Sequence, residues 1–404
     1  TGLISFGRFH EEVERIILAN KTSDYMMIYT DFENFKYFNY KYGYTLGDQV
    51  LKDFCSFIIG KTEEKHNLYF TRVVSDQFLM FRTASHEKDE YQGIIEETEK
   101  INEEFMLRQK EKFPKSNVVL RTGIYYVTPE CRSTSYAIDA ANYVRQKVKG
   151  GEKGSVRFYD DEMQKQRELE NEIVNDMKEA MEQKQFKVYF QPVVDAMTGK
   201  IASAESLIRW FHPKKGFISP GVFIPALEES GHISELDLYV LDSVNEFQKK
   251  RYQSDKITVP VSTNLSWMDF YDETIMNWLE KKCADASMPS GLCRMEITET
   301  SYAAIEADRN ATLEALREAG ILLLLDDFGS GYSSFGMLQN YNFDIMKIDM
   351  SFVRQIETNT KTRSIIRFII EMAHTMEIKI IAEGAETKEQ VEFLRDNGCG
   401  YIQG

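Results

Sequence analysis

The stretch LLLLDDFGSGYSS, residues 322–334, places two neighbouring aspartates directly after a run of four leucines. A leucine run that ends at a glycine-rich turn is typical of a strand buried on both faces. Asp326 and Asp327 stand where this strand should end. These residues alone leave two interpretations open, because the aspartates could cap the segment after the turn or bind a metal ion.

The rest of the second half repeats this pattern of an apolar run followed by an amphipathic segment of helical length. Eight runs are present: KVYFQPVVD, ASAESLIRW, VPVSTNLS, CRMEITET, ILLLLDDFGSG, IMKIDM, IKIIAEGAE and GYIQG. Strands that alternate with helices predict a parallel sheet, and eight of them predict a TIM-like (β/α)8 barrel. Active sites of such barrels lie at the C-terminal ends of the strands.

Polar residues stand at the predicted end of nearly every strand. They are Glu205, Asn264, Glu296, Glu299, Asp326, Asp327, Lys347, Glu383, Glu386 and Gln403. Each one alone is well explained as a helix cap or a solvated loop residue. A ring of carboxylates at one barrel mouth would, however, repel itself strongly unless divalent cations neutralised it. Oxygen ligands favour Mg²⁺, Mn²⁺ or Ca²⁺ over zinc, so the pattern as a whole predicts a metal site.

Composition limits the classes of partner. The chain has 404 residues, 43% hydrophobic content and a formal net charge of -15, and this charge argues against a protein that wraps duplex DNA or RNA. The five cysteines are scattered without paired spacing, so we expect a cytoplasmic location. No apolar run is long enough to cross a bilayer. The sequence begins at Thr1, which leaves open an upstream sensor or membrane segment.

The domain boundary is predicted from the polar stretch at residues 149–186. A Gly/Lys turn is followed there by a short strand and then by a charged segment whose apolar residues recur at helical spacing. We therefore expect a first domain over residues 1–161, a connecting helix over 162–186 and a barrel over 187–404.

The second half resembles the EAL family of cyclic di-GMP phosphodiesterases over about residues 165–404. The resemblance rests on YFQPVVDAMTGKIASAESLIRW, HPKKGFISPGVFIPALEESG, EITET, LDDFGSGYSSFGML, MKIDMSFV, IIAEGAET and GYIQG. It implies metal ligands at Glu205, Asn264, Glu296, Asp326, Asp327 and Glu383. It also implies a water-orienting lysine at Lys347, a loop-supporting glutamate at Glu299, and substrate contacts at Gln191, Arg209 and Gln403. Ser206 departs from the Glu-Ala-Leu signature, and because side chains alternate along a strand we expect it to point away from Glu205.

The resemblance implies that two cations, Mg²⁺ or Mn²⁺, support hydrolysis of cyclic di-GMP to linear pGpG, with Glu205, Glu299, Lys347 and Glu383 in the catalytic centre. It also implies a homodimer through the EAL domain, in which the segment near residues 330–339 couples the dimer surface to the metals. Two other functions stay open. One is a receptor that binds cyclic di-GMP without turnover, and the other is a metal-independent glycosidase with paired carboxylates.

The first half resembles the GGDEF family of diguanylate cyclases over about residues 1–161. The resemblance rests on TGLISFGRF, DFENFKYFNYKYG, GDQVL, TGIYYV and RFYD. The hairpin that carries the family's active-site motif reads RVVSDQF, residues 72–78, without its two glycines and with Gln77 in place of an acid. We therefore expect no cyclase activity. Asp31, Asn39, Asp48 and Asp76 match family positions for metal or guanine contact, so GTP binding at a regulatory or purely structural domain stays open.

Overall fold

A computed structural model gives two compact units, residues 1–168 and 169–404. The described residues are 2–19, 25–62, 68–84, 91–116, 118–128, 130–148, 155–283, 289, 291–304, 310–318, 320–329, 338 and 341–404. Within these residues, no helix has both the length and the apolar composition that a membrane span requires.

The first unit contains a five-stranded sheet with helices on both faces. Its strands are β1 (Tyr25–Glu33), β2 (Leu68–Arg72), β3 (Phe78–Thr83), β4 (Val119–Tyr126) and β5 (Val156–Phe158), in the order β2-β3-β1-β4-β5. Its helices are α1 (Phe6–Leu18), α2 (Phe35–Tyr42), α3 (Tyr44–Thr62), α4 (Tyr91–Lys112) and α5 (Thr134–Gln146). The next helix, α6 (Asp161–Glu182), begins in this unit and continues into the second.

Both faces of this sheet are buried. Strand β1 shows why, because Met26 and Ile28 pack into one hydrophobic cluster while Met27 and Tyr29 pack into another. Side chains of a strand alternate between the two faces, so each face has its own apolar core beneath its helices. Strand β1 is antiparallel to both β3 and β4 and lies at the centre of the sheet.

Over its described residues, the second unit contains nine strands and the helices between them. The strands are β6 (Phe186–Asp195), β7 (Ile201–His212), β8 (Gly216–Ile218), β9 (Val261–Asn264), β10 (Cys293–Thr298), β11 (Leu322–Phe328), β12 (Ile345–Ile348), β13 (Lys379–Glu383) and β14 (Tyr401–Gln403). The helices are α7 (Pro220–Ser230), α8 (Ile233–Gln253), a 3-10 turn (Trp267–Tyr271), α9 (Glu273–Cys283), α10 (Glu299–Ala304), α11 (Asn310–Glu318), α12 (Met350–Val353), α13 (Thr360–Thr375) and α14 (Lys388–Asp396).

Eight of these strands close into a barrel, which confirms the predicted fold. The order is β6-β14-β13-β12-β11-β10-β9-β7, and β6 pairs with β7 to complete the ring. The expectation that every strand is parallel was wrong for β6, which runs antiparallel to both β7 and β14. The reason is the short connection, since residues 196–200 form a tight turn and leave no room for the crossover helix that a parallel pair needs.

The barrel interior is filled by a small apolar layer, and the predicted site lies directly above it. Val193, Leu324, Ile345 and Ile381 come from four different strands and form a cluster that contains no helical residue. The residue two positions nearer the barrel mouth on each strand points the same way, because side chains repeat every second residue. Those residues are Gln191, Asp326, Lys347 and Glu383.

Candidate active site at the barrel mouth

Lys347 lies at the centre of the barrel mouth. Its Nζ is 2.7 Å from Glu296 Oε2, 2.7 Å from Glu383 Oε1, 3.0 Å from Glu205 Oε2 and 3.1 Å from Asp326 Oδ1. Only 1% of the lysine side chain is exposed, so these four carboxylates replace the water that would otherwise solvate the ammonium group. The structure thus brings together residues that are up to 178 positions apart in the sequence.

Two amide side chains extend this cluster. Gln403 Nε2 donates to Glu205 Oε2 at 2.7 Å, and Asn264 Nδ2 donates to Glu205 Oε1 at 3.2 Å. Asn264 comes from β9, which pairs directly with β7, whereas Gln403 comes from β14, on the far side of β6 from β7. Asn264, Gln403 and Lys347 therefore all contact Glu205, each from a different strand.

A β-bulge in β11 explains how two adjacent aspartates at the end of this strand can both face the barrel mouth. Leu323, Leu325 and Phe328 all pack outward against the helices, so one extra residue is inserted between the second and the third. The pairing with β12 shifts at the same point, and Asp327 has a left-handed φ of 54°. Aspartate tolerates this conformation better than most residues. The bulge turns Asp327 toward the mouth although its neighbour Asp326 already points there.

Asp326, Asp327 and Glu383 consequently converge. Each offers a carboxylate oxygen, and the three oxygens lie within 4.8 Å of one another, a grouping that could hold a metal ion. One oxygen of Glu296 adds to this, because Oε1 is buried and has no hydrogen-bond partner among the described residues. A buried orphaned acceptor costs about 1–3 kcal/mol unless a further ligand satisfies it.

The pKa values follow from crowded buried charges. Burial raises the pKa of Glu296 to about 8, and the charges of Glu205 and Asp326 add to this against the attraction of Lys347. Burial and the charge of Asp326 raise the pKa of Glu383 to about 7. Burial alone would lower the pKa of Lys347, but the surrounding carboxylates hold it well above its usual value. The mouth is thus a site that favours additional positive charge.

Asp327 shows the same effect at the edge of the cluster. Burial raises its pKa to about 6, with further contributions from the charges of Asp326 and Asp349. Asp349 is the N-cap of α12, where its carboxylate accepts a hydrogen bond from the backbone N–H of Ser351 at 2.9 Å. Sequence reasoning did not single out Asp349, because a capping aspartate directly after a strand gives no separate signal.

The remaining predicted residues lie around the cluster. Gln191 is the cross-strand partner of Glu205 and therefore faces the same side of the sheet. Glu299 is the first residue of α10, directly after β10, and is buried. The loop that it was expected to support, residues 330–337, lies outside the described residues. Ser206 points away from the mouth as expected, and its hydroxyl donates to the Ser262 carbonyl at 2.8 Å.

Arg209 and Asn264 line a cavity of about 520 Å³, and the hydrogen bond from Asn264 to Glu205 connects this cavity to the acidic cluster. Its Nη1 donates to the Ile208 carbonyl at 2.9 Å, and its position four residues along β7 from Glu205 places it on the same face of that strand. The cavity extends to Asp237 on α8. Burial and the neighbouring Asp269 raise the pKa of Asp237 well above its usual value.

Sequence reasoning missed this second acidic group. Asp237 lies in the second turn of α8, where a single aspartate is an ordinary residue, and only the folded chain shows that it lies beside Asp269. Ser234 Oγ donates to Asp269 Oδ1 at 2.6 Å, and the Ser266 N–H donates to Asp269 Oδ2 at 2.8 Å. Asp237 and Arg209 both line the cavity, which therefore offers a carboxyl group as well as a guanidinium.

Comparison with known proteins agrees with this architecture. A family model described as EAL domain matches residues 174–404, and one described as diguanylate cyclase, GGDEF domain, matches residues 1–154. Cyclic di-GMP phosphodiesterase PdeR of Escherichia coli (strain K12) is 30% identical over 412 residues, which cover 100% of this chain and 60% of PdeR. The chain therefore spans about three-fifths of the length of this relative.

Solved structures give the same result. A PaMucR phosphodiesterase in complex with c-di-GMP is 32% identical and covers 58% of this chain and 94% of its own, with a TM-score of 0.54. The GGDEF and EAL portion of Vibrio cholerae LapD covers 100% of this chain and 93% of its own with a TM-score of 0.64, and its 17% identity supports the fold alone. The chain belongs to the EAL domain family and carries a GGDEF domain ahead of its EAL domain.

Proposed function

We propose that the EAL domain hydrolyses one phosphodiester bond of cyclic di-GMP and releases linear pGpG. The observation that carries the proposal is the full set of carboxylates around Lys347 at the barrel mouth, with Asn264 and Gln403 beside them. The names of PdeR and of the PaMucR complex support cyclic di-GMP as the ligand. The acidic cluster and the adjoining cavity give such a ligand a reactive centre and a binding surface.

The residues present fit a pair of divalent cations, Mg²⁺ or Mn²⁺. Four carboxylates contact Lys347 and Asp327 adds a fifth beside Asp326 and Glu383, so the formal charge of the group with every acid ionised is minus four, which two divalent cations would cancel. The orphaned Oε1 of Glu296 would gain a partner. The ligands in this proposal are Glu205, Asn264, Glu296, Asp326, Asp327 and Glu383. When bound, such cations would lower the pKa of a water molecule and polarise the phosphate.

Three side chains around the proposed metal site have separate roles in the reaction. Lys347 holds four carboxylates in place and offsets their repulsion, which keeps the ligand oxygens converged. Glu383 is both a ligand and the proton acceptor in this proposal, and its Oε1 lies 2.7 Å from Lys347 Nζ. Gln403 holds Glu205 through its amide nitrogen, and its buried Oε1 has no partner among the described residues and can accept a hydrogen bond from water.

Three further residues position the substrate and the loop. Arg209 suits the phosphate because a guanidinium can donate to two oxygens at once. Gln191, opposite Glu205 on β6, supplies an amide on the same face. Glu299 supports the loop after β11 in this proposal. Homodimerisation through the EAL domain stays a prediction, because the segment that we expect to couple it to the metals lies outside the described residues except for Leu338.

For the first domain we propose a regulatory or structural role without cyclase activity. Ser75 occupies the tip of the active-site hairpin with a φ of 49°, a conformation that suits glycine. Gln77 cannot supply the charge of an acid, and its Oε1 accepts a hydrogen bond from the Tyr29 hydroxyl at 2.8 Å. Both features support a hairpin that no longer carries out nucleotide chemistry.

The proposal is tested by incubating the purified chain with cyclic di-GMP and separating the products by chromatography in Mg²⁺, in Mn²⁺ and in EDTA. We expect metal-dependent pGpG, a loss of at least about 100-fold for Asp326→Asn, and unchanged turnover for the exposed control Lys388→Met. Full turnover by Asp326→Asn would remove that residue from the site. Tight binding of cyclic di-GMP without any product would instead identify a receptor.

A further inference from the structure

The first domain has a buried ion-pair cluster at the position where its family holds a metal. Asp31, near the end of β1, is 5% exposed. Arg121 Nε donates to Asp31 Oδ1 at 3.1 Å, and Arg121 Nη2 donates to Oδ2 at 2.6 Å. Arg145 Nη1 also donates to Oδ2, and Arg145 itself is buried. Two guanidinium groups therefore share one carboxylate.

Three elements meet at this carboxylate, and the sequence explains how. Arg121 is the cross-strand partner of Asp31 on β4. Arg145 comes from α5, which packs closely on β4 at Gly123, where an added Cβ would lie 2.0 Å from the Ala141 carbonyl oxygen. Because glycine has no side chain, the helix can approach near enough for Arg145 to reach β1.

The guanidinium of Arg145 is fixed from two further sides. Its Nε donates to Asn142 Oδ1 at 2.9 Å, and its Cζ lies 5.1 Å above the ring of Tyr29. A cation over an aromatic face is stabilised by the ring quadrupole, and the neighbouring amide fixes the orientation of the fork. Arg145 is thus held in one position by Tyr29 and Asp31 of β1 and by Asn142 of α5.

This arrangement does not fit a divalent cation. Both oxygens of Asp31 are already bonded to positive groups, and a metal would have to displace the arginines or bind next to them against like-charge repulsion. Of the two consecutive acids in the family's hairpin motif, Asp76 remains and Gln77 replaces the other, so a metal here would have one carboxylate fewer to balance the two arginines. Among the described residues, the only grouping of three acids compact enough for a metal lies at the barrel mouth.

We infer that the first domain binds no divalent cation at Asp31, and that Asp31 with Arg121 and Arg145 forms an internal clamp between β1, β4 and α5. The arginines replace the metal's charge and hold the carboxylate permanently. Any nucleotide that binds this domain would then do so without a cation bridging to Asp31. This inference stands apart from the activity proposed for the barrel.

The first test is a metal count on the full chain. The chain is dialysed against Mn²⁺, and bound manganese is measured by elemental analysis for the wild type, Asp31→Asn and Asp326→Asn. We expect Asp31→Asn to leave the manganese per chain unchanged and Asp326→Asn to lower it. A loss of manganese in Asp31→Asn would overturn the clamp. An unchanged count in Asp326→Asn would contradict the barrel metal site and leave the clamp intact.

The second test measures local stability. If Asp31 were a metal ligand among other acids, its removal in the absence of metal would relieve repulsion and would not destabilise the domain. If Asp31 is instead the partner of Arg121 and Arg145, Asp31→Asn leaves two arginines without their carboxylate in or near the core. We therefore expect Asp31→Asn to lower the Tm of the first unit by about 10 °C in EDTA. Amide hydrogen exchange should accelerate in peptides covering residues 25–33, 119–126 and 134–146, while barrel peptides keep their wild-type rates. Unchanged exchange in those three peptides would refute the clamp.

A double-mutant cycle distinguishes loss of this ion pair from general destabilisation of the domain. Arg145→Gln should lower the Tm in the wild type but cause a much smaller loss when Asp31→Asn is already present, because its partner is gone. Losses that simply add would show that the two side chains do not depend on each other. They would overturn the inference even if every variant folds.

Discussion

Replacing Lys347 by methionine tests the electrostatic centre of the barrel directly. Methionine keeps much of the side-chain volume but removes the ammonium group that contacts four carboxylates at 2.7–3.1 Å. Loss of one partner from a buried ion pair typically costs about 3–5 kcal/mol, since the remaining charge is left uncompensated. Here several carboxylates share that loss, so we expect the upper part of this range for the metal-free chain at pH 8.

Protonation limits the cost at lower pH. The pKa values of Glu296 and Glu383 are raised to about 8 and about 7, so protons can neutralise these groups when the lysine is absent. The destabilisation by Lys347→Met should therefore shrink between pH 8 and pH 6. Added Mn²⁺ should recover part of the stability, because a ligand at 100 times its Kd contributes about 2.7 kcal/mol to the native state.

Tryptophan fluorescence makes the measurement specific to the barrel. Trp210, Trp267 and Trp278 are the chain's three tryptophans, and all lie in the second unit. Urea unfolding in EDTA at pH 8 and pH 6 gives the free energy of unfolding for the wild type, Lys347→Met and the surface control Lys388→Met, whose side chain is 87% exposed. The control should change by less than about 0.5 kcal/mol. A change below about 1 kcal/mol for Lys347→Met at pH 8 would refute the reasoning.

Three further predictions concern the barrel-mouth carboxylates in the absence of metal, Ser75 and Ser206. The pKa values of Asp327, Glu383 and Glu296 are raised in the folded state, so their stabilising contribution is complete at low pH and is lost as the pH rises through about 6, 7 and 8. Urea unfolding in EDTA should thus show stability falling over this range, and a rise would contradict the cluster. Ser75→Gly should stabilise the first domain by about 0.5–1 kcal/mol, measured by amide hydrogen exchange in peptides covering residues 68–72 and 78–83, because Ser75 has a φ of 49° and glycine adopts it freely, and Ser75→Ala should bring no such gain. Ser206→Ala should cost about 1 kcal/mol through the lost bond to the Ser262 carbonyl and leave turnover within about twofold, whereas a tenfold loss of turnover would place Ser206 in the site.

The barrel could be predicted from the sequence because each strand is indicated by residues that are close together along the chain. Each apolar run and the polar residue that ends it can be read along the chain, and eight repeats specify closure. The direction of β6 was not predicted, since an apolar run carries no sign of its orientation and only the short turn at residues 196–200 indicates a hairpin. The bulge at Asp327 was equally hidden, because it depends on pairing between β11 and β12.

Contacts between distant residues set the limit of sequence reasoning. That Lys347 would lie among carboxylates followed from the shared barrel mouth, but that it contacts four of them could not be derived from spacing. Asp237 and Asp269 meet only after α8 has packed near β9, and Asp31 meets Arg145 only because Gly123 lets α5 approach β4. In each case the partner is chosen by tertiary packing.

Phosphorus NMR of cyclic di-GMP incubated with the full chain tests the central claim most directly. Hydrolysis of one bond converts one of two equivalent diester phosphorus atoms into a monoester and leaves the other as a diester. We predict that these two signals grow at equal intensity in Mg²⁺ and that EDTA stops their growth. An unchanged diester signal with ligand bound to the protein, or growth that persists in EDTA, would contradict the account.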